Sequence, residues 1–442
     1  MAVIGQPLPT RLAGVQVLVC GPIGPDGGPM DAATVSPIPL EEFDASAADI
    51  DRAVTLPPGA YTRADFHDFE LAAVFDRSWL CVGRTDEIPE PGDYFTTTLP
   101  GREKVIVARD KDRNINVMSS VCQHRGMCVT APAKRERHSW YAEPGEQRGN
   151  VRTFRCPYHW WTYDLDGRLL GAPDMAHRSD FDRSRIRLPA LACEVWNGFV
   201  FANFDLEAPP LAPQVRKATE LLENYRLAEM VSTPRDVLVD LPFNWKLMVE
   251  NFMEGYHNDR LHHDLYDLAR GDDPELENLT AGHMSFEYEP GSGVIAGWGR
   301  TAHRDRGLNP TQRGLFPPIA TLTDEERWHM CYVCVPPSLL MGVSTDSAFW
   351  FVVTPTGPET FTLLMSFVFP RSTMELKLFD QLFRQHVAGV DLFNSEDLPA
   401  NIATQMGLRS RYAPRGPLAR GDLFLAQFNA WLLERYRAAE AS

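Results

Sequence analysis

The spacing of apolar residues changes along the chain and separates helical regions from strand-like ones. Residues 63–80 carry Phe, Ala and Trp side chains at helical spacing, and Thr62 just before them is a possible N-cap. The same spacing predicts helices in four further segments, namely 213–230, 242–260, 373–407 and 422–438. Helices are therefore predicted near the start, in the middle and at the end of the chain.

Two other regions consist of short apolar runs separated by Gly, Pro and Asp, which is the pattern of strands. Between residue 84 and about 200 the runs are DYFTTTL, KVIVARD, INVMSSV, TFRCPYH and GFVFANF. Residues 330–370 add YVCVPP, FWFVVTP and TFTLLMSFVFP, in which Cys331 and Cys334 are predicted to be structural thiols. The pattern predicts an α+β fold in which a small all-β domain is inserted into a larger body of helices and strands.

The length of 442 residues favours two domains. The first sixty residues are rich in Gly, Pro, Ala and Asp, and we expect them to form an extended or partly ordered arm. The predicted organisation has four parts: an N-terminal extension over 1–60, a helix belonging to the larger body over 61–83, the all-β domain over 84–204 and the second domain over 205–442.

The net charge of −16 restricts the classes of partner. An acidic chain disfavours nucleic acid held by phosphate contacts, and the short basic run KRER at 134–137 is predicted to be a solvated loop. We find no run of 18 or more apolar residues, and Gly, Pro and Arg interrupt the first twenty positions. We therefore expect a cytoplasmic protein that binds neither nucleic acid nor membrane.

Two short loops in the all-β region carry candidate metal ligands. VCQHRG supplies Cys122 and His124, and CPYHWW supplies Cys156 and His159. Zinc is the usual occupant of a Cys2His2 set, but zinc fingers normally pair Cys with Cys and His with His. One Cys and one His from each loop suit a two-iron cluster in which one iron keeps both thiolates and the other takes both imidazoles.

A second cluster lies in ENFMEGYHNDRLHH, residues 250–263, which concentrates histidines and acids. HExxH is absent, so the helical zinc-protease arrangement is not available. His257 and His262 are five residues apart and would point about 140° away from one another on an ideal helix. They can converge only if the helix ends there or contains a π-bulge. Glu254 precedes His257 by three residues and would lie beside it.

Both clusters resemble those of one protein family. CQHRGM and CPYHWWTYDLDGRLLGAP look like the ferredoxin-type Rieske domain of ring-hydroxylating and related oxygenases, and NWKLMVENFMEGYHNDRLHH looks like the mononuclear-iron segment of their α subunits. The resemblance covers residues from about 60 to 438. It implies a catalytic domain with a central antiparallel sheet flanked by helices, of the helix-grip type. Two departures are the long segment 125–155 between the loops and Trp160, where the family commonly has Gly.

The resemblance assigns the ligands. It implies that a [2Fe–2S] cluster is bound by the four loop residues Cys122, His124, Cys156 and His159. It implies that Fe(II) is bound by His257, His262 and a distant Asp397, which lies in EDLPANIATQMGLRSRYAPRG. A register shift of one residue would exchange His262 with His263.

Two further residues take roles by the same resemblance. Glu254 is expected to link an iron-bound histidine to a cluster-bound histidine, His159, of the neighbouring subunit in a head-to-tail homotrimer. Asn251 is expected to lie near the iron. A carboxylate between two imidazoles would fix the tautomers of both rings.

The resemblance also implies a reaction. The chain has no GxGxxG fingerprint, so NAD(P)H is expected to supply electrons through a separate reductase, with or without a ferredoxin, for O2 activation at the iron. Residues 335–371 are most similar to the choline, glycine betaine and carnitine monooxygenases, which favours hydroxylation or oxidative dealkylation of a small organic substrate. Those relatives follow Tyr-His with Cys-Pro, whereas NDR stands here.

Three alternatives stay open at this point. Aromatic-ring cis-dihydroxylation is the second oxygenase reaction, whereas a Rieske electron-transfer protein without oxygenase activity and a zinc-stabilised binding protein are different classes. The aromatic residues that could surround a cation or an arene, and could equally be core, are Phe252, Trp298, Phe349 and Trp350.

Overall fold

The part of the chain that the computed structural model describes contains both β-sheets and α-helices. The described residues are 35–132, 145–262, 285–288, 294–300, 304–307 and 314–441. The predicted KRER loop and His263 lie outside them.

The described part of the N-terminal segment packs into the hydrophobic core. A 3₁₀ turn at Leu40–Phe43 is followed by α1 (Gly59–Thr62), α2 (Ala64–Glu70) and a π-helical turn at Leu71–Phe75. Phe43 is buried and its ring stacks 5.6 Å from that of Phe66. Of the two predicted alternatives, an extended or a partly ordered arm, the extended one is wrong for this part, because the few large apolar side chains among its Gly and Pro residues are buried.

The predicted cap at Thr62 and the length of the first helix also need correction. Helix α2 begins after Arg63, and the Thr62 hydroxyl donates to the Pro58 carbonyl inside α1. The helical turns end at Phe75, and Leu80 already belongs to a strand. The helix predicted over 61–83 is thus too long at its C-terminal end.

Ten strands follow in the described part of the all-β region. They are β1 (Leu80–Arg84), β2 (Asp93–Thr98), β3 (Lys104–Arg109), β4 (Ile115–Ser119), β5 (Arg148–Asn150), β6 (Phe154–Arg155), β7 (Thr162–Tyr163), β8 (Leu169–Gly171), β9 (Ala190–Trp196) and β10 (Phe199–Asn203). One antiparallel sheet has the order β1-β10-β9-β4-β3-β2-β5, and a small one has the order β6-β7-β8. The all-β domain predicted from alternation is confirmed.

The second region begins with short helices and contains a large sheet. Its strands are β11 (Val231–Ser232), β12 (Asp236–Leu241), β13 (Ser285–Tyr288), β14 (Ile295–Arg300), β15 (His329–Val335), β16 (Leu339–Val343), β17 (Ala348–Gly357) and β18 (Thr360–Phe369). They are antiparallel in the order β11-β18-β17-β16-β15-β14-β13, with β12 also paired to β18. The strands predicted over 330–370 are confirmed, and Cys331 and Cys334 are buried in β15.

Seven α-helices accompany this sheet in the described part of the second region. They are α3 (Leu211–Gln214), α4 (Arg216–Leu222), α5 (Trp245–Met253), α6 (Asn258–Leu261), α7 (Arg371–Met374), α8 (Phe379–Leu408) and α9 (Leu423–Glu440). The predicted helix over 213–230 is divided into α3, α4 and 3₁₀ turns, and the one over 242–260 breaks after Met253. The last two predicted helices are confirmed as α8 and α9.

The long helix α8 packs on the large sheet through aromatic side chains. Phe383 makes edge contacts with Phe367 and Phe369 of β18, with ring centroids 5.5 and 5.8 Å apart. A central antiparallel sheet with helices on it is the helix-grip arrangement expected from the sequence. Among the described residues, no helix is both long and apolar enough to cross a membrane.

Candidate functional site

The two Cys–His loops of the all-β region have the same backbone hydrogen bonds. In the first loop the Cys122 amide donates to the Met127 carbonyl (2.9 Å) and the Gly126 amide donates to the Cys122 carbonyl (3.0 Å). In the second loop the Cys156 amide donates to the Trp161 carbonyl (2.9 Å) and the Trp160 amide donates to the Cys156 carbonyl (3.0 Å). Each loop therefore presents its Cys and its His in an equivalent way.

The four side chains of these loops come together with thiols inside and imidazoles outside. Cys122 and Cys156 are buried, whereas His124 is exposed and His159 is half-buried. The two imidazole rings are 4.7 Å apart, centroid to centroid. The Tyr163 hydroxyl lies 3.3 Å from the Cys122 Sγ. This asymmetry fits a cluster whose inner iron takes thiolates and whose outer iron takes imidazoles.

Electrostatics in the loops agree with that fit. The pKa of His124 is lowered, chiefly by partial desolvation of its ring and secondly by the neighbouring His159. This shift favours the neutral imidazole, which is the form that binds metal. Burial raises the pKa of Cys156, and the adjacent Cys122 adds to the effect. Two thiolates side by side therefore need a cationic partner, which bound iron would provide.

Trp160 replaces glycine at a position that requires a left-handed backbone. Its φ is 62°, and Gly126 at the equivalent point of the first loop has a φ of 76°. A non-glycine residue is strained in this region. The Trp160 side chain is 62% exposed, with the Arg155 guanidinium 5.5 Å from the ring centroid. The departure noted in the sequence therefore places an exposed indole next to the candidate ligand His159.

The second cluster is formed where helix α5 ends. Met253 is the last residue of α5, Glu254 is extended (φ −84°, ψ 149°) and α6 starts at Asn258. This break lets His257 and His262 converge, and their ring centroids lie 5.0 Å apart. The first of the two conditions derived from their spacing, a helix end, is the one the structure shows.

Asp397 on α8 completes a three-residue group. Its Oδ1 lies 3.1 Å from His262 Nε2 and 3.5 Å from His257 Nε2. One ligand atom from each of the three residues lies within 4.8 Å of the others, which leaves space for one ion between them. Two imidazoles and one carboxylate are the donor set of mononuclear iron(II) sites that keep open positions.

The residues around this group orient its ligands. Glu254 bonds through one oxygen to His257 Nδ1 and accepts the Tyr256 and His257 backbone amides through the other. Asn251 Nδ2 donates to Asp397 Oδ1 at 3.2 Å. These bonds hold the ring of His257 and the carboxylate of Asp397 in place.

Glu396 was missed by the sequence interpretation. Its Oε2 lies 2.7 Å from His262 Nδ1, so it orients His262 as Glu254 orients His257. Burial lowers the pKa of His262, but the hydrogen bonds to Asp397 and Glu396 outweigh it and the net shift is upward. The signal available in the sequence was the acid pair Glu396-Asp397.

A buried ion pair anchors α5. Lys246 Nζ lies 2.9 and 2.7 Å from the two carboxylate oxygens of Glu70, with Lys246 0% exposed and the Glu70 side chain 1% exposed. Trp245 Nε1 and the Tyr436 hydroxyl also donate to Glu70. Asn244 caps the helix by accepting from the Lys246 amide. The Asn-Trp-Lys motif therefore fixes the start of the helix that leads to the iron ligands.

Glu250 lies one turn before Glu254 and is buried. The Tyr61 hydroxyl donates to its Oε1 at 2.7 Å. Burial raises the pKa of Glu250 to about 7, so this carboxyl binds a proton near neutral pH.

A cavity of about 110 Å³ opens beside the three-residue group. That volume is several times the roughly 10–15 Å³ needed for one water, so a compact molecule can enter. Its aromatic walls come from Phe252, Tyr332, Phe349, Phe351 and Phe393.

Strand alternation decides which of the predicted aromatic residues reach the cavity. Phe349 and Phe351 face it from β17, whereas Trp350 points to the other side of the sheet and packs 5.5 Å from Phe199. Phe252 lines the cavity, Trp350 is core, and the side chain of Trp298 lies outside the described residues.

Comparisons with known proteins agree with both halves of this description. The Rieske [2Fe-2S] domain family matches residues 78–191, and the family described as ring hydroxylating alpha subunit (catalytic domain) matches residues 225–438. The carnitine monooxygenase oxygenase subunit of Acinetobacter baumannii is 28% identical over 382 residues, 84% of this chain and 89% of the relative. The large oxygenase component of salicylate 5-hydroxylase from Ralstonia sp. is 36% identical over 223 residues, 47% of this chain and 48% of the relative.

Solved structures show the same fold. The quaternary ammonium Rieske monooxygenase CntA in complex with L-carnitine superimposes with a TM-score of 0.69 at 22% identity, covering 91% of this chain and 100% of the other. Naphthalene 1,2-dioxygenase from Rhodococcus sp. gives a TM-score of 0.72 at 19% identity, covering 90% and 98%.

The two family matches define an oxygenase component with a Rieske domain and a catalytic iron domain. The chain belongs to the Rieske non-heme iron oxygenases, as an α subunit related to carnitine monooxygenase. It is an oxidoreductase with a [2Fe–2S] cluster and a mononuclear iron, and it depends on a reductase or ferredoxin for electrons. The classes of zinc-stabilised binding protein and pure electron carrier are thereby set aside.

Proposed function

We propose that this chain is the terminal component of a monooxygenase that hydroxylates or oxidatively dealkylates a small organic substrate. The observation that carries the proposal is the convergence of His257, His262 and Asp397 on the wall of a cavity that also has aromatic walls. The relatives named for carnitine and salicylate are a monooxygenase and a hydroxylase, which favours insertion of one oxygen atom. Aromatic cis-dihydroxylation is the competing outcome, supported by the relative named benzene 1,2-dioxygenase subunit alpha from Pseudomonas putida.

Each site residue has a defined part in this proposal. The cluster would be held by Cys122, His124, Cys156 and His159, and the iron by His257, His262 and Asp397. When bound, the cluster relays single electrons and Fe(II) activates O2. Asn251 and Glu396 orient Asp397 and His262, and the aromatic walls exclude water and position the substrate.

Glu254 would connect the two sites across a subunit interface. One carboxylate oxygen already bonds His257, and the partly exposed side chain can accept a second imidazole. His159 is half-buried at the tip of its loop, where a neighbouring subunit can reach it. We therefore propose a head-to-tail homotrimer in which Glu254 of one subunit meets His159 of the next.

Metal analysis tests the ligand assignment. The purified protein is expected to contain about three irons and two acid-labile sulfides per chain, with the visible spectrum of a Rieske cluster. His257→Ala and Asp397→Ala should each lose one iron and all turnover while keeping that spectrum. His177→Ala, which removes an exposed histidine, should keep all three irons. A His257→Ala protein with full iron content would show that the assignment is wrong.

Electron transfer and product analysis test the remaining parts. Glu254→Gln should retain both metals but reoxidise its reduced cluster at least about 100-fold more slowly in a single turnover with O2, because a bridge between the sites has been weakened. With a surrogate reductase and ¹⁸O2, one labelled oxygen atom per product supports monooxygenation. Two labelled atoms in a cis-diol would support the competing reaction.

A further inference from the structure

Arg306 provides a positive charge in a cavity whose other walls carry acidic, neutral polar and apolar side chains. Among the described residues that line the cavity, Arg306 is the one Lys or Arg side chain. Its Nε is buried and has no hydrogen-bond partner. An unpaired buried donor costs free energy, so a site of this kind favours a ligand that accepts the hydrogen bond.

The lining carboxylates are already bound to other groups. Glu254 bonds to His257, and Asp397 accepts from Asn251 and contacts both iron-site histidines. Both carboxylates are therefore engaged with the three-residue group and its neighbours. The remaining walls are mainly Met and aromatic side chains, which supply no charge.

The backbone of Arg306 is held in place by its surroundings. The Thr345 hydroxyl donates to its carbonyl at 3.0 Å. The arginines near it in space or sequence already have acidic partners, since Arg304 pairs with Asp324 and Arg327 pairs with Asp305. Arg306 thus differs from these arginines in lining the cavity while its buried Nε has no hydrogen-bond partner.

We propose that Arg306 binds the carboxylate of the substrate, so that the substrate class is a small monocarboxylic acid with an apolar or aromatic body. The inference deepens the proposed function and rests on it, because the bound acid is a substrate only if the iron site oxygenates it. A guanidinium matches a carboxylate with two parallel hydrogen bonds, and the aromatic walls pack the body of the acid. A ligand with only a positive charge would be repelled by Arg306, although aromatic rings alone could hold it.

Equilibrium binding to the anaerobic holoenzyme tests the inference by calorimetry. The probes are benzoate and phenylacetate, each paired with its neutral amide, and choline as a cation. The wild-type protein should bind at least one acid about tenfold or more tightly than its amide, because a charged hydrogen bond is lost with the amide. Choline should bind more weakly than that acid.

Variants separate Arg306 from the rest of the site. Arg306→Gln should remove the preference for acid over amide, and Arg306→Lys should restore part of it. Arg304→Gln is the matched control and should behave as wild type. Iron content and the cluster spectrum should be unchanged in all three, which shows that the sites remain folded.

Two results would overturn the inference: no acid binding more tightly than its amide in the wild type, or an unchanged preference in Arg306→Gln. Because binding is measured without turnover, failure of the proposed function is separately visible. An acid that binds through Arg306 but is never oxygenated with any reductase would refute the reaction and leave the carboxylate subsite established.

Discussion

Removal of the Lys246 charge should be among the most destabilising substitutions near the iron site. Lys246→Met replaces the ammonium with an apolar side chain of similar length. It leaves the Glu70 carboxylate buried without its counter-ion, 2.7 Å from where Nζ stood. The remaining donors to Glu70 are the Trp245 indole and the Tyr436 hydroxyl, which are neutral.

The expected magnitude follows from burial. Both members of the pair are inaccessible to solvent, so water cannot compensate the isolated carboxylate. Breaking one partner of such a pair typically costs about 3–5 kcal/mol, whereas replacing both partners by uncharged groups is often neutral. Glu70→Gln combined with Lys246→Met should therefore recover most of the loss, since the Gln carbonyl oxygen can accept from Trp245 while its amide nitrogen donates to the Tyr436 hydroxyl oxygen.

Urea denaturation followed by far-UV circular dichroism, at matched iron content, measures the effect. Lys377→Met is the control, because Lys377 is exposed and its replacement should change the free energy of unfolding by less than about 0.5 kcal/mol. The reasoning fails if Lys246→Met lies within about 1 kcal/mol of wild type. It also fails if the double variant is no more stable than the single one.

Three further predictions concern the cluster loop, the iron and the acid stability of the core. Trp160→Gly should slow cluster loss in denaturant, because it relieves about 1 kcal/mol of left-handed backbone strain, which is more than the stabilisation lost with the exposed cation–π contact. Gly126→Ala introduces the same kind of strain and should hasten cluster loss. Glu396→Ala should weaken iron binding about 10- to 100-fold in chelator competition, with an unchanged cluster spectrum, and equal affinity would contradict its orienting role. Burial lowers the pKa of His386 to about 4, so stability present above the ordinary value near 6.5 is lost as pH falls towards 4, by up to about 3 kcal/mol. His386→Gln should flatten this part of the stability profile, and an unchanged slope in pH-dependent urea melts would refute it.

The candidate metal ligands could be predicted from the sequence because most of each set lies in one or two short segments. Cys122 and His124, like Cys156 and His159, are brought together by a loop of six residues, and residues that close in sequence meet at little entropic cost. His257 and His262 were recognisable for the same reason. Their convergence, however, depends on the end of α5. The spacing alone could not distinguish a helix end from a π-bulge.

Residues that act from a distance were harder to predict. Asp397 required the family resemblance, and Glu396 was missed, because α8 lies far from the histidines in sequence and amphipathic spacing does not identify a residue's partner. Phe43 was placed in a loose arm because composition averages over a segment, whereas burial is decided residue by residue. The sequence around Lys246 did not indicate that its counter-ion is Glu70, which lies 176 positions away.

The difference between local and distant residues has a consequence for specificity. The candidate iron ligands and their orienting partners lie on or beside α5, α6 and α8, of which α5 is anchored by the buried pair Lys246–Glu70 and α8 by aromatic packing. Arg306, in contrast, belongs to a connecting segment that carries none of the metal ligands. Substitution at Arg306 can therefore change which substrates enter while the iron ligands keep their geometry.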